Sequence, residues 1–145
     1  MEFLLNTAEQ HELFGDFLPP AYGAEARRRW GRTPEWAEAA ERVSGYALTE
    51  WQEIRAEQEE VEARLVRLLT DGHPAGGSAA MDAAEAHRRH VDRWFHPCTP
   101  ARHVQLAEFI CADPSFHARY EGLARGTAGF LRDAAVANAS RDARE

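Results

Sequence analysis

The chain has 145 residues, with 17 basic groups (every one an Arg) against 24 acidic ones, for a formal charge of −7. That length is one domain's worth, able to bury roughly two-thirds of its unfolded surface. The acidic balance argues against a dedicated nucleic-acid binder, which needs a basic excess to neutralise phosphates. No apolar run approaches the roughly 18 residues that span a bilayer, and no basic segment precedes an apolar stretch at the N-terminus. The two cysteines, Cys98 and Cys111, are too few for a disulfide framework, so a reduced, cytoplasmic chain is expected.

In chain order, the first thirty residues show little regular periodicity. Phe14, Phe17, Tyr22 and Trp30 are spaced among Gly15, Pro19, Pro20 and Gly23. Such a segment folds over something, either its own core or a ligand. From there the pattern is helical. Trp36, Ala40, Val43 and Ala47 recur at spacings of four and three. Trp51, Ile54, Gln58, Val61, Leu65 and Leu68 carry the rhythm through the longest segment. Met81, Ala84, His87, Val91 and Trp94 form a third stripe, and Leu106, Phe109 and Ile110 mark a short fourth helix. Phe116, Tyr120, Leu123, Thr127, Phe130 and Ala134 read as a single fifth helix. Each stripe turns one apolar face toward a core.

The start signals agree. Thr33-Pro34, Thr99-Pro100 and Asp113-Pro114 each set a capping residue before a proline suited to the first helical position. Thr49 with Gln52 has the spacing of a capping box, and Ser78 is expected to cap the stripe that begins near Met81. Gly45, residues 72–77 and Pro97 are the stops. No apolar alternation supports a strand, and the expected fold class is all-α. Residues 72–77, rich in Gly and Pro, divide the chain into expected lobes of one domain, about 1–71 and 78–145.

Residues 87–103 hold the densest chemistry. Cys98 falls between Pro97 and Pro100, just ahead of a helix start, so the thiol is expected to project from a rigid turn. The helix N-terminus, with Arg93, His96, Arg102 and His103 close in sequence, would favour thiolate over thiol. Trp94 and Phe95 supply an apolar wall suited to an electrophilic, largely apolar ligand. The bland alternative is that Cys98 is a small buried hydrophobe, and for Cys111 the core reading is the expected one. Zinc ligation by His87, His90, His96, Cys98 and His103 lacks a second tight pair of ligands. A Cys98–His103 nucleophile–base couple, oriented by Asp92 or Glu108, lacks an identifiable oxyanion donor. His87, within its apolar stripe, is expected to be buried and hydrogen-bonded.

These residues resemble the TipA-type antibiotic-recognition domain. Phe14-Gly15-Asp16-Phe17, Tyr22, Arg29-Trp30-Gly31, Tyr46, Thr49 and Trp51 follow that family's order. So do His87-Arg88-Arg89-His90, Arg93-Trp94-Phe95, Cys98, His103, Leu106-Ala107-Glu108, Ala112-Asp113-Pro114 with Phe116, Tyr120 and Leu131-Arg132-Asp133-Ala134. The likeness covers about residues 12 to 139. It departs from the family at His96-Pro97, where an aromatic and an acidic residue are usual, and at Ile110, where a tyrosine is common.

The resemblance implies a compact, globin-like helical domain with a ligand cleft and a mobile aromatic N-terminal lid. It implies a large aromatic or peptidic antibiotic as partner, with thiopeptides the best-known ligands. It also implies a cysteine, here Cys98, that adds to a dehydroalanine on the drug. The expected ligand-binding residues are Phe14, Phe17, Trp30, Trp51, His87, His90, Trp94, Phe95, His96, His103, Phe109 and Tyr120. Such domains usually follow a MerR-type DNA-binding segment and also occur alone. With only about a dozen residues ahead of the likeness, the expectation is a stand-alone protein that confers resistance by sequestration, without catalysis. A non-covalent binder of another drug such as albicidin, and a drug-sensing effector domain of a transcriptional activator, are the alternatives. No cofactor, metal, nucleic acid or membrane is expected to take part, and the chain is expected to be a monomer or weak dimer.

Overall fold

The computed structural model describes residues 32–143. Among them every regular element is a helix: α1 (Pro34–Ser44), α2 (Leu48–Thr70), α3 (Ser78–Trp94), α4 (Pro100–Ala112), α5 (Pro114–Leu123) and α6 (Thr127–Ala143). None is long and apolar enough to cross a membrane. The aromatics Phe14, Phe17, Tyr22 and Trp30, and with them the expected lid, lie outside the described residues.

The proline-led starts form as their chemistry dictates. Thr99 sits in extended backbone and its side chain accepts the Arg102 N–H at 3.1 Å, ahead of Pro100. Asp113 does the same for the Phe116 N–H at 2.9 Å, ahead of Pro114. In both, a side-chain oxygen satisfies a first-turn donor that the helix itself leaves open, and proline takes a position that needs no N–H. The end of α2 closes with Gly72 at φ +81. There the Gly72 and His73 N–H groups return to the carbonyls of Leu69 and Leu68 at 3.1 and 2.9 Å, the double bond of a Schellman end that only glycine enters cheaply.

The structure corrects the sequence reading at several points. Ser78 is not the cap expected of it, since α3 already begins there, and Thr49 does not cap α2. The helix begins at Leu48, so Thr49 is already helical and its hydroxyl turns to the Glu50 carboxylate at 3.0 Å. Ala47 lies beyond the end of α1 and is exposed. The expected fifth helix is two helices, α5 and α6, parted by Gly126 at φ +94. Glu121, late in α5, reaches over the break: its carboxylate accepts the Gly126 N–H at 3.1 Å and the Ala128 N–H at 3.2 Å, which holds the carboxyl below its usual range. Leu123, the last residue of α5, is 41% exposed and so does not belong to the buried face.

The chain divides into two units, Met1–Glu57 with Val91–Pro97, and Gln58–His90 with Cys98–Glu145. Residues 72–77 therefore lie inside the second unit and are not the boundary. The described core of the first unit gathers Val43, Trp51, Ile54 and Trp94, with Tyr46, Leu48 and Phe95 partly buried against them. The core of the second draws Val61 and Leu65 from α2, Ala80, Ala83 and Ala84 from α3, and Ile110, Tyr120, Leu131 and Ala134 from α4, α5 and α6. Most of the predicted stripe positions are in these clusters.

Candidate functional site

In the first unit the sequence-predicted residues Trp51, Trp94 and Phe95 come together with Tyr46. The Tyr46 ring meets Trp51 and Trp94 edge-on, with centroids 5.7 and 5.6 Å apart, and Trp51 stands 6.5 Å from Phe95. Edge-to-face pairs set the positive rim of one ring against the negative face of another, worth about 0.5–1.5 kcal/mol each beyond burial. Polar contacts fix the cluster further. The Tyr46 hydroxyl donates to the Trp94 carbonyl at 2.5 Å, and the Trp94 indole N–H donates to Glu57 at 3.2 Å. Arg42 donates to the Asp92 and Arg93 carbonyls at 2.6 and 3.2 Å, tying α1 to the last turn of α3.

The groups expected around the thiol each have a partner of their own. Arg93 lies over the Trp94 ring at 4.4 Å and pairs with Glu53 and Glu57 at 3.3 and 3.4 Å. His96 is half-buried, with Nδ1 2.9 Å from the Pro97 carbonyl oxygen. Arg102 donates to Gln105 at 2.9 Å.

In the second unit His87, His90, Cys98, His103, Phe109 and Tyr120 are all buried. Cys98 does not project from its turn: it is 1% exposed, with Sγ 3.9 Å from the Thr99 carbonyl oxygen. The expected Cys98–His103 couple is not built. His103 Nε2 instead meets His87 Nδ1 at 2.8 Å, and His87 Nε2 lies 3.5 Å from the Tyr120 hydroxyl. One imidazole must donate and the other accept, so this line of groups is complete with both rings neutral.

Burial drives the protonation state. It pushes the His87 imidazole well below its usual value, with the charges of His103, His90 and Arg119 adding to the effect. It lowers His103 to about 4, reinforced by Arg88 and opposed by Glu85. An imidazole held that low is a poor proton acceptor for a thiol at neutral pH. Phe109, expected to line a cleft, packs edge-on against Phe116 with centroids 5.6 Å apart. Among the described residues no group of three or more His, Cys, Asp or Glu side chains is placed to hold a metal ion.

The residue that does reach the cysteine turn is one that sequence reasoning missed. Arg88, on α3, donates to the Cys98 carbonyl at 2.6 Å. Glu85, one turn earlier, grips the same guanidinium through two bonds, 2.8 Å from Oε1 to Nε and 2.5 Å from Oε2 to Nη2. Asn138 on α6 donates to Glu85 at 3.0 Å, and Arg141 joins Asn138 at 2.6 Å to Asp82 at 2.9 Å. The Arg88 bonds outweigh the desolvation of Glu85 and hold its carboxyl down to about 2. The Glu-x-x-Arg spacing on a helix was the available signal; the bond to a carbonyl ten residues away appears only in the fold.

A second missed pair joins α2 to α5. Buried Glu62 accepts both Nη groups of Arg119, one of them at 3.0 Å, and Arg119 lies 5.4 Å over the Tyr120 ring. Cys111, expected in the core, is half-buried and donates to the Ala128 carbonyl at 3.3 Å, and burial raises its thiol. With Glu108, Ala112, Arg132 and Val136 it lines an open surface hollow.

Residues 22–138 match the family model of the TipAS antibiotic-recognition domain. The HTH-type transcriptional activator TipA of Streptomyces coelicolor is 38% identical over 137 residues, which is 94% of this chain and 54% of that protein. The HTH-type transcriptional regulator SkgA of Caulobacter vibrioides is 29% identical over 119 residues, 81% of this chain and 44% of its own. The chain thus spans about half the length of the curated relatives it matches. Among solved structures, TipAS in complex with nosiheptide, from the thiopeptide antibiotic multidrug resistance system of Streptomyces lividans, is 37% identical with a TM-score of 0.89, over 97% of this chain and 99% of that one. The antibiotic binding domain of a TipA-class multidrug resistance transcriptional regulator is 38% identical with a TM-score of 0.58, over 63% of this chain and 98% of that one.

Proposed function

Because the chain belongs to the TipAS antibiotic-recognition domain family, we propose that it binds a thiopeptide-type antibiotic one-to-one and holds it without turnover. The observation that carries this reading is the likeness, over nearly the whole of both chains, to TipAS in complex with nosiheptide. Thiopeptides are large ligands rich in heteroaromatic rings. Removing such rings from water yields roughly 25 cal/mol per Å² of apolar surface. In the first unit, Trp51 and Trp94 are core residues, so of the three expected aromatic contacts only the partly buried Phe95 has ring surface open to a ligand, and Trp51 and Trp94 are proposed to back it. Phe14, Phe17 and Trp30 are proposed to close over the ligand.

In the second unit, Cys98 is the proposed covalent anchor. Its sulfur attacks the β-carbon of a dehydroamino acid, an S–C bond forms as the C=C π bond breaks, and the thiol proton ends on the α-carbon. No leaving group or oxidant is needed. Since the thiol is 1% exposed, the bound ligand itself must uncover it before addition, so capture is slow relative to encounter and selective for a ligand that stays. His103 is not the base in this scheme, for the reason given by its buried pairing with His87.

A second reading has its own observation: the curated relatives are HTH-type transcriptional regulators more than twice as long as the matched segment or nearly so. In that reading the same binding event serves as the sensing step of transcriptional activation. Calorimetric titration with nosiheptide tests what both readings share. One-to-one binding by the wild type, with reversible binding retained in Cys98→Ala, is the expected result. Absence of binding to both proteins overturns the assignment.

A further inference from the structure

We infer that Arg88 is the positioning residue of the Cys98 turn, held in place by a polar latch that makes α6 part of the anchor's support. The inference rests on the proposed use of Cys98 and gives that site a mechanical basis. Thr99 is the N-cap of α4, and its carbonyl already accepts the His103 N–H at 2.9 Å. The Cys98 carbonyl lies one residue outside that ladder, so its acceptor needs a partner from elsewhere. Arg88 supplies it at 2.6 Å.

A guanidinium is a rigid, planar fork, so fixing two of its edges fixes the third. Here Glu85 holds the Nε and Nη2 edge while Nη1 points to the Cys98 carbonyl. Glu85 is itself oriented by Asn138, and Asn138 by Arg141, which ends on Asp82. Asn138 is buried, and the Arg88 and Glu85 side chains are only 19% and 22% exposed, so solvent screens this inner part of the latch weakly, while its outer end at Asp82 is exposed. Pro97 precedes the turn and Pro100 follows it, which leaves the Cys98 peptide few conformations. One strong bond to its carbonyl then fixes the peptide plane, and with it the backbone from which the thiol projects.

The test uses the full chain as wild type, Arg88→Gln and Arg88→Lys. Alkylation by iodoacetamide is followed separately at Cys98 and Cys111 by peptide mapping, and the nosiheptide adduct rate is followed as a function of drug concentration. Loosening the latch lowers the cost of local opening, so Cys98 in Arg88→Gln should alkylate about tenfold faster while Cys111 is unchanged. The limiting adduct rate should fall about 10- to 100-fold, as misplaced nucleophiles do, with little change in half-saturating concentration. Arg88→Lys, which keeps a cationic donor without the fork, should recover part of both effects. Equal acceleration at Cys98 and Cys111 would show general loosening and overturn the inference, as would no change at Cys98. A wild type that forms no adduct defeats the covalent reading instead, and the alkylation ratio still decides the role of Arg88.

Discussion

The buried imidazoles of His87 and His103 make a pH prediction with a definite sign. His103 has a folded value of about 4 against 6.5 for the free group, and His87 is lowered in the same direction. Between those values the unfolded chain binds a proton that the native state refuses, so the native state loses ground as pH falls. The contribution is fully present above 6.5 and is lost toward 4, on the order of 3 kcal/mol for a buried group shifted this far. Glu85, lowered to about 2 by Arg88, adds a second loss that begins near 4.5 and runs to lower pH. Urea denaturation at a series of pH values should therefore show stability falling from pH 6.5 downward, with a shallower slope in His103→Gln. Parallel profiles for the two proteins would contradict the assignment. At this scale the sequence was legible where a residue's own stripe decides its burial, as for His87. It was silent on partners: the Cys98 carbonyl meets Arg88 and His103 meets His87 because separate helices pack, and no spacing encodes that.

Helix ends are where sequence and structure agree most closely, because a cap is a contract among neighbours in the chain. Thr99 and Asp113 were readable as caps for that reason, and Thr99→Ala is expected to cost about 1 kcal/mol in a urea titration, the usual loss for a removed N-cap oxygen. Thr49 misled because the same residue types occur one position inside a helix as well as at its edge. The Gly126 break was missed because Phe116 to Ala134 keeps an apolar rhythm across it, and a rhythm does not report a change of direction. Gly126→Ala should cost about 1 kcal/mol, since its backbone is left-handed although a Cβ would meet nothing closer than Leu69 at 3.8 Å. Gly76→Ala is the matched control. A Cβ there meets nothing within 4 Å, so its stability should stay within about 0.5 kcal/mol of wild type. Equal losses in the two variants would show that the left-handed turn is not what Gly126 contributes.

For the whole molecule, the all-helical class followed from the period of the apolar residues, since each buried stripe forces a helix face inward. The division of the chain did not follow. The Gly- and Pro-rich segment at residues 72–77 reads as a boundary by composition, yet it closes α2 and leads into α3 within one unit, while the chain changes unit inside α2, inside α3 and between Pro97 and Cys98, of which only the last is marked in composition. Family membership gives this architecture its proposed use, the capture of an antibiotic. Intact-protein mass spectrometry after incubation with nosiheptide tests that use most directly, with wild type and Cys98→Ala run under native and denaturing conditions. Covalent capture at Cys98 would give a wild-type mass raised by one whole drug molecule that survives denaturation, and a Cys98→Ala complex seen only under native conditions. A wild-type complex that falls apart on denaturation would contradict the thioether, and no complex under either condition would contradict antibiotic capture itself.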